Sequence, residues 1–202
     1  MKIKKFMYPI IALIVVIILA GGIYMNNANN SEESNNKASE NTENTDNTNS
    51  KSVTVVLETN MGEITIQLAD DMPITTGNFI NLIESGTYDD TIFHRVIDGF
   101  MVQGGDPTGT GMGDPSIPSI QDEFTSSNAN NIGTISMANR GPNTGSSQFF
   151  INLVNNNYLD SMHPVFGEVV DGMDVVDAIG KVSTGANDKP VEDVVIEKAR
   201  II

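Results

Sequence analysis

Arg95 stands in the stretch Phe93-His94-Arg95-Val96-Ile97-Asp98-Gly99-Phe100-Met101-Val102-Gln103-Gly104-Gly105-Asp106, which brings a guanidinium, two large apolar side chains and an amide close together. That set suits binding and charge stabilisation by a fixed donor, because a guanidinium stays protonated at any working pH and needs no proton transfer. Alternation along a strand puts Met101 and Gln103 on one face, while Phe100 reaches the same rim only across a bend near Gly99. The same alternation turns His94 away from Arg95 and out of the candidate site. Taken alone, the stretch reads as core at Phe100 and Met101 with a solvated charge at Arg95. Other chemistries are largely closed to this chain. It has no cysteine, which excludes disulfides, thiol catalysis, Cys-ligated zinc and a lipid-modified N-terminal cysteine. His94 and His163 are its only histidines, too few for a histidine-based metal site. There is no Gly-x-Ser-x-Gly elbow, no His-Glu-x-x-His and no Gly-Lys-Ser/Thr phosphate loop. The glycine-rich run Gly104–Gly113 lacks the lysine of a phosphate cradle and carries Asp106, so it reads as a surface loop with several positive φ angles.

The elements that must position these residues are short. Val53–Thr59 and Glu63–Leu68, joined by Asn60-Met61-Gly62, read as a hairpin, with Ile64, Ile66 and Leu68 alternating with polar residues. Pro73-Ile74-Thr75-Thr76 leads into an expected helix from Asn78, capped by Thr75 or Thr76, with Phe79, Leu82 and Ile83 on one face and Gly86 as its stop. Further strands are expected at Ile92–Val96, Phe100–Gln103, Gly133–Ala138, Ser147–Asn152, Val165–Val169 and Val191–Ile202, and a second helix at Met173–Ile179, ended by Gly180. Many short strands with two helices predict a mainly β fold, a closed antiparallel barrel with capped ends.

A second cluster changes the reading of Arg95. Ser136-Met137-Ala138-Asn139-Arg140-Gly141-Pro142-Asn143-Thr144-Gly145-Ser146-Ser147-Gln148-Phe149-Phe150-Ile151-Asn152 resembles a signature of the cyclophilin-type peptidyl-prolyl isomerases, and so does Phe93–Asp106. Tyr158-Leu159-Asp160-Ser161-Met162-His163-Pro164-Val165-Phe166-Gly167-Glu168-Val169 follows at that family's spacing. The resemblance runs from about Val53 to Ile202. It implies an eight-stranded antiparallel barrel capped by two helices, with a proline-binding groove on its outer face. It also implies Arg95 as the catalytic residue and a proline pocket lined by Phe100, Met101, Phe150, Leu159 and His163. Gln103, Ala138, Asn139 and Gln148 would contact the substrate backbone and neighbouring residues. For His163 a packing role with a hydrogen-bonded ring is expected even inside the pocket. Where the family usually has tryptophan this chain has Tyr158, which puts cyclosporin sensitivity rather than turnover in doubt; cyclosporin binding is expected to be weak.

The chemistry implied is consistent with these residue types. An X-Pro amide resists rotation with a barrier of about 20 kcal/mol and exchanges over roughly 10–100 s. In the twisted transition state the nitrogen becomes pyramidal and recovers its lone pair, so a fixed guanidinium beside it binds the twisted state better than the planar one. No nucleophile, metal or cofactor is called for. Two functions use such a groove: an isomerase, or a module that binds proline-containing segments as a chaperone or scaffold with little turnover. Retention of Arg95 with Gln103, Asn139, Gln148 and Phe150 favours the enzyme.

The remaining sequence concerns location. After Lys2, Lys4 and Lys5, residues Phe6 to Met25 form an uncharged apolar stretch of 20 residues, long enough as a helix to cross about 30 Å of hydrocarbon. It reads as an uncleaved anchor; a cut near Ala28 would make it a secretory signal instead. Lysines on its N-terminal side alone place the remainder outside the cytoplasm. Residues 26–52 hold 18 Asn, Ser or Thr and seven charges, a composition that reads as a flexible tether spanning about 30 Å. Residues 53–202 form the folded domain. It holds six bases and 21 acids, and so accounts for the whole net charge of −15, which argues against nucleic acid as a partner. The expected partners are proline-containing unfolded or flexible polypeptides and, through the anchor, the membrane. A monomeric catalytic domain is expected.

Overall fold

The computed structural model describes residues 52–202. The expected membrane-spanning segment, residues 1–25, and all of the tether but Ser52 lie outside the described residues. Among those described, no helix is long and apolar enough to cross a membrane.

The expected hairpin forms, with β1 (Thr54–Thr59) antiparallel to β2 (Gly62–Leu68) and Val55 opposite Ile66, Leu57 opposite Ile64. Gly62 takes φ +133 at the turn, and Thr59 Oγ1 donates to its carbonyl at 2.6 Å. α1 (Pro73–Glu84) follows and packs Phe79 and Ile83 into the core. Its start differs from the expectation. Thr75 and Thr76 lie inside the helix, and the first-turn amides of Ile74 and Thr75 donate to the Glu123 carboxylate at 3.1 and 2.6 Å. A distant acid supplies the cap and places negative charge where the helix dipole favours it.

β3 (Thr91–Ile92) and β4 (Arg95–Ile97) follow, where a single strand was expected. Beyond them come β5 (Met101–Gly104), β6 (Thr134–Met137), β7 (Phe149–Asn152) and β8 (Val165–Asp171), then α2 (Met173–Ile179) and β9 (Val195–Ile201). The nine strands form one antiparallel sheet in the order β3-β9-β1-β2-β8-β6-β7-β5-β4. This corrects the closed eight-stranded barrel to a curled, open sheet with β3 and β4 as its edges. The two edges are consecutive in sequence, linked through Phe93 and His94, so the chain itself spans the seam. No ladder of hydrogen bonds crosses it there, apart from an isolated bridge between Ile92 and Asp106.

The core lies inside the curl. Val55, Leu57, Ile64, Ile66, Val96, Val102, Ile135 and Ile151 point into it, together with Phe79 and Ile83 of α1 and Val176 and Ile179 of α2. Phe79 packs against Tyr88, Phe149 and Phe166 with ring centroids 5.0–5.5 Å apart. Alternation along the strands sends the next residues to the outer face, and on β4, β5 and β7 those residues make the candidate site.

Candidate active site

Register sets the site. Arg95 on β4 lies opposite Gln103 on β5, Gln103 opposite Phe150 on β7, and Phe150 opposite Ser136 on β6, so the four share one row. One step further, Ile97 pairs with Met101 and Met101 with Asn152 on the same face. Their neighbours Val96, Val102 and Ile151 enter the core on the other side. The outer face therefore has an apolar cluster of its own: buried Met101, Phe150 and Leu159, with Ile97, Phe100 and Ala138 packed against them. Phe100 reaches it as expected. A tight turn closes with Phe100 N donating to Ile97 O at 3.0 Å, and Gly99 takes φ +68.

The far wall comes from the segment around the 3₁₀ turn Asn157–Leu159. Tyr158 stacks on Phe100, ring centroids 6.4 Å apart and planes at 18°, while staying mostly exposed at the rim. His163 meets Phe150 edge-on at 5.3 Å, and its Nδ1 lies 3.0 Å from Met137 O, the hydrogen-bonded packing position expected of it.

Beside this cluster runs a groove of about 1080 Å³, bordered by Arg95, Gln103, Ala138, Asn139 and Gln148 and by the loop Gly109–Gly113. Gln103 Nε2 donates to Gln148 Oε1 at 3.0 Å, and Gln148 Nε2 donates to Gly111 O at 3.2 Å. Asn139 Nδ2 is taken up by Met162 O at 2.7 Å, which ties the groove wall to the pocket wall. His94 also borders the groove, contrary to its expected turn away from Arg95. Alternation fails there because β3 ends at Ile92 and β4 begins at Arg95. The His94 ring is buried. Burial pushes its pKa down, opposed by the charge of Asp106 and assisted by that of Arg95.

Two sets of supporting residues escaped the sequence reading. The first is a buried amide network. Asn130 Oδ1 accepts from Ser136 Oγ at 2.7 Å, Asn130 N donates to Asp160 Oδ1 at 2.7 Å, and Asn128 Nδ2 donates to Asp160 O at 2.6 Å. Asn156 Nδ2 donates to Phe100 O at 3.0 Å and to Asn152 Oδ1 at 2.8 Å. Phe100 and the Tyr158–His163 wall are thus held around Met101 and Phe150 by asparagines that in sequence resemble ordinary loop residues.

The second is Asp106, fully buried at the base of the glycine-rich loop. Its carboxylate accepts from Thr108 N at 2.9 Å, Thr108 Oγ1 at 2.8 Å, Gly111 N at 2.7 Å and Gly113 N at 3.1 Å. Burial alone would raise its pKa, but these hydrogen bonds together outweigh burial and hold it below the usual carboxylate value. A lowered folded-state value means the ionised form stabilises the fold. That contribution is complete above the unfolded carboxyl's value of about 4 and is lost as pH falls through the folded one. Asp106→Asn should therefore cost about 1–3 kcal/mol at neutral pH, and urea titrations should show the gap to wild type closing below about pH 4. A gap independent of pH would contradict this role.

The outer face of the curled antiparallel sheet thus carries an apolar cluster beside a groove bordered by an arginine and several polar side chains. The chain belongs to the cyclophilin type peptidyl-prolyl cis-trans isomerases, whose family model matches residues 54–201. It is 47% identical over 155 residues to peptidyl-prolyl cis-trans isomerase-like 1 of Gibberella zeae, covering 75% of this chain and 96% of that one. It is also 47% identical over 149 residues to a peptidyl-prolyl cis-trans isomerase of Schizosaccharomyces pombe, covering 72% and 96%. Among solved structures it resembles a cyclophilin type isomerase of Cryptosporidium parvum, with TM-score 0.71, 33% identity, and coverage of 75% of this chain and 98% of that one. A second crystal structure from that organism, determined in the presence of the dipeptide Ala-Pro, matches with TM-score 0.70 and 34% identity, covering 74% and 98%. The activity of the chain is peptidyl-prolyl cis-trans isomerisation.

Proposed function

We propose that Arg95 is the catalytic residue of this isomerase and that the enzyme works outside the cytoplasm, held to the membrane, on exported polypeptides as they fold. The observation that carries the catalytic assignment is the row Arg95–Gln103–Phe150, which sets a guanidinium at the edge of the apolar pocket. Met101, Phe150 and Leu159 form the floor, and Phe100 and His163 the sides, of a site for the prolyl ring. The Ala-Pro dipeptide used with the Cryptosporidium parvum relative is a ligand of the same kind. Gln103, Gln148 and Ala138 hold the flanking backbone. Asn139 offers its main chain, because its side-chain amide is occupied by Met162. With the ring gripped and the flanking chain fixed, rotation is confined to one bond, and Arg95 stabilises the nitrogen as its lone pair localises.

The domain of residues 53–202 should accelerate cis/trans exchange of an X-Pro peptide followed by NMR. Peptide binding without acceleration would instead favour a chaperone or scaffold that holds proline-containing segments.

Tyr158 supports a further reading. Its exposed ring gives the pocket rim less apolar area than an indole and no indole N–H. Cyclosporin should bind weakly by calorimetry and bind substantially better to Tyr158→Trp, with turnover little changed; tight binding by the unmodified domain would refute this.

The location rests on Lys2, Lys4 and Lys5 before the apolar stretch Phe6 to Met25 and on the polar composition of residues 26–52. Protease added to intact cells without their wall should cut within residues 26–52 and release an active fragment of about 150 residues. Protection of that segment until the membrane is permeabilised would reverse the orientation. Soluble protein in the medium with a trimmed N-terminus would mean a cleaved signal.

A further inference from the structure

Arg95 has a partner that the pocket does not supply. Its Nε lies 3.3 Å from Asp188 Oδ2, and both side chains are nearly half exposed, at 41% and 47%. Asp188 arrives from the loop between α2 and β9, 93 positions along the chain. That loop has its own internal structure. Gly185 N donates to Lys189 O at 2.8 Å, and Thr184 bridges to Pro190. Asn187 and Asp188 take φ of +61 and +58, a region that Asn and Asp enter more readily than other non-glycine residues. The neighbouring base Lys189 is engaged by Asp193 at 3.1 Å rather than by Asp188. Asp188 borders the groove together with Arg95, so the pair forms at its edge.

We infer that Asp188 is a positioning residue for the catalytic guanidinium, an inference that rests on the assignment of Arg95 as the catalytic group. By accepting from Nε, the carboxylate fixes the plane of the fork and leaves the terminal N–H groups free for the prolyl nitrogen. A solvent-screened pair of this exposure adds little to fold stability. Its effect falls on orientation: an arginine already held in its working rotamer loses less freedom when the transition state forms. The carboxylate therefore acts through Arg95 and need not touch the substrate.

In the full-length chain, Asp188→Ala should lower kcat/KM about two- to fivefold, a range set by the modest worth of exposed ion pairs. The loss should fall on kcat with KM unchanged. Alanine is strained at the positive φ of this position, so the thermal midpoint should fall slightly in Asp188→Ala and stay unchanged in Asp188→Asn. Asp188→Asn keeps an acceptor oxygen and should recover most of the rate. The Arg95 Nε–H resonance should exchange slowly with solvent in wild type and in Asp188→Asn, and rapidly in Asp188→Ala. In an Arg95→Ala background, Asp188→Ala should cause no further loss, because the two act as a unit. Unchanged kcat with an unchanged Nε–H signal would overturn the inference, as would an equal loss in both backgrounds. A faster Asp188→Ala enzyme would show instead that the carboxylate competes with substrate for the guanidinium. If Arg95→Ala itself keeps the full rate, the catalytic assignment fails first and this inference with it; if Arg95→Ala is impaired and Asp188→Ala is not, only the positioning role is lost.

Discussion

Arg95→Ala in residues 53–202 should reduce kcat/KM for an X-Pro peptide by about 10²–10³, the usual cost of removing one preorganised donor from a developing charge. The fold should survive. Arg95 is on an edge strand with its side chain 41% exposed, and its one ion pair is with a half-exposed carboxylate, so the change in stability should stay within about 1 kcal/mol. The loss should appear in kcat rather than KM, because the apolar cluster of Met101, Phe150 and Leu159, proposed to grip the ring, is left intact. Arg95→Lys should rescue poorly: an ammonium is a compact point charge and cannot present a planar fork at the same distance. NMR exchange measurements on wild type and both variants, with circular dichroism as the control for folding, decide the matter. A folded Arg95→Ala domain with wild-type rates would sink the mechanism and leave the pocket as a binding site served by some other group.

Adjacent phenylalanines should behave in opposite ways. Phe149 is fully buried, with its ring centroid 5.5 Å from Phe79, 5.7 Å from Tyr88 and 6.3 Å from Phe93, all nearly edge-on. Neighbouring backbone fits closely against it: a Cβ placed on Gly105 would sit 2.7 Å from Phe149 Cδ1. Phe149→Ala leaves a cavity that such a junction cannot collapse to fill, and should cost about 3–5 kcal/mol. For a domain of this size that lowers the thermal midpoint by roughly 10 °C, measurable by calorimetry. Phe150 faces the other side of the same strand, in the pocket with Met101 and Leu159. Phe150→Leu keeps apolar volume there, so the midpoint should move little while KM rises several-fold through poorer contact with the prolyl ring. A large stability loss in Phe150→Leu, or a small one in Phe149→Ala, would contradict the division between the inner and outer faces.

Much of this site was legible in the sequence because it is carried by local patterns. The hairpin of β1 and β2 follows from alternation on either side of a turn, and α2 from a short periodic run ended by Gly180. Phe100 swings to the pocket rim because Gly99 permits a left-handed bend, which residue type alone predicted. Arg95, Gln103 and Phe150 share one row because each lies at a defined place within its own motif and period-two alternation does the rest.

What sequence did not reveal depends on groups that are far apart in the chain. Glu123 caps α1 from 48 positions away, while the two threonines expected to do so lie inside the helix. Asn130 and Asn156 look like loop asparagines, and Asn152 like the plain end of a strand, until the sheet curls and buries them as the frame of the site. Asp188 reaches Arg95 only because β9 returns beside β1 and carries the preceding loop to the sheet edge. The open seam between β3 and β4, and with it the turn of His94 into the groove, depends on where two ladders end, and alternation within one strand holds no information about that. Side-chain periodicity is decided by the backbone of a few residues and can be read from them. The partner of a given carboxylate or amide is decided by the packing of the whole sheet, and only the folded chain contains it.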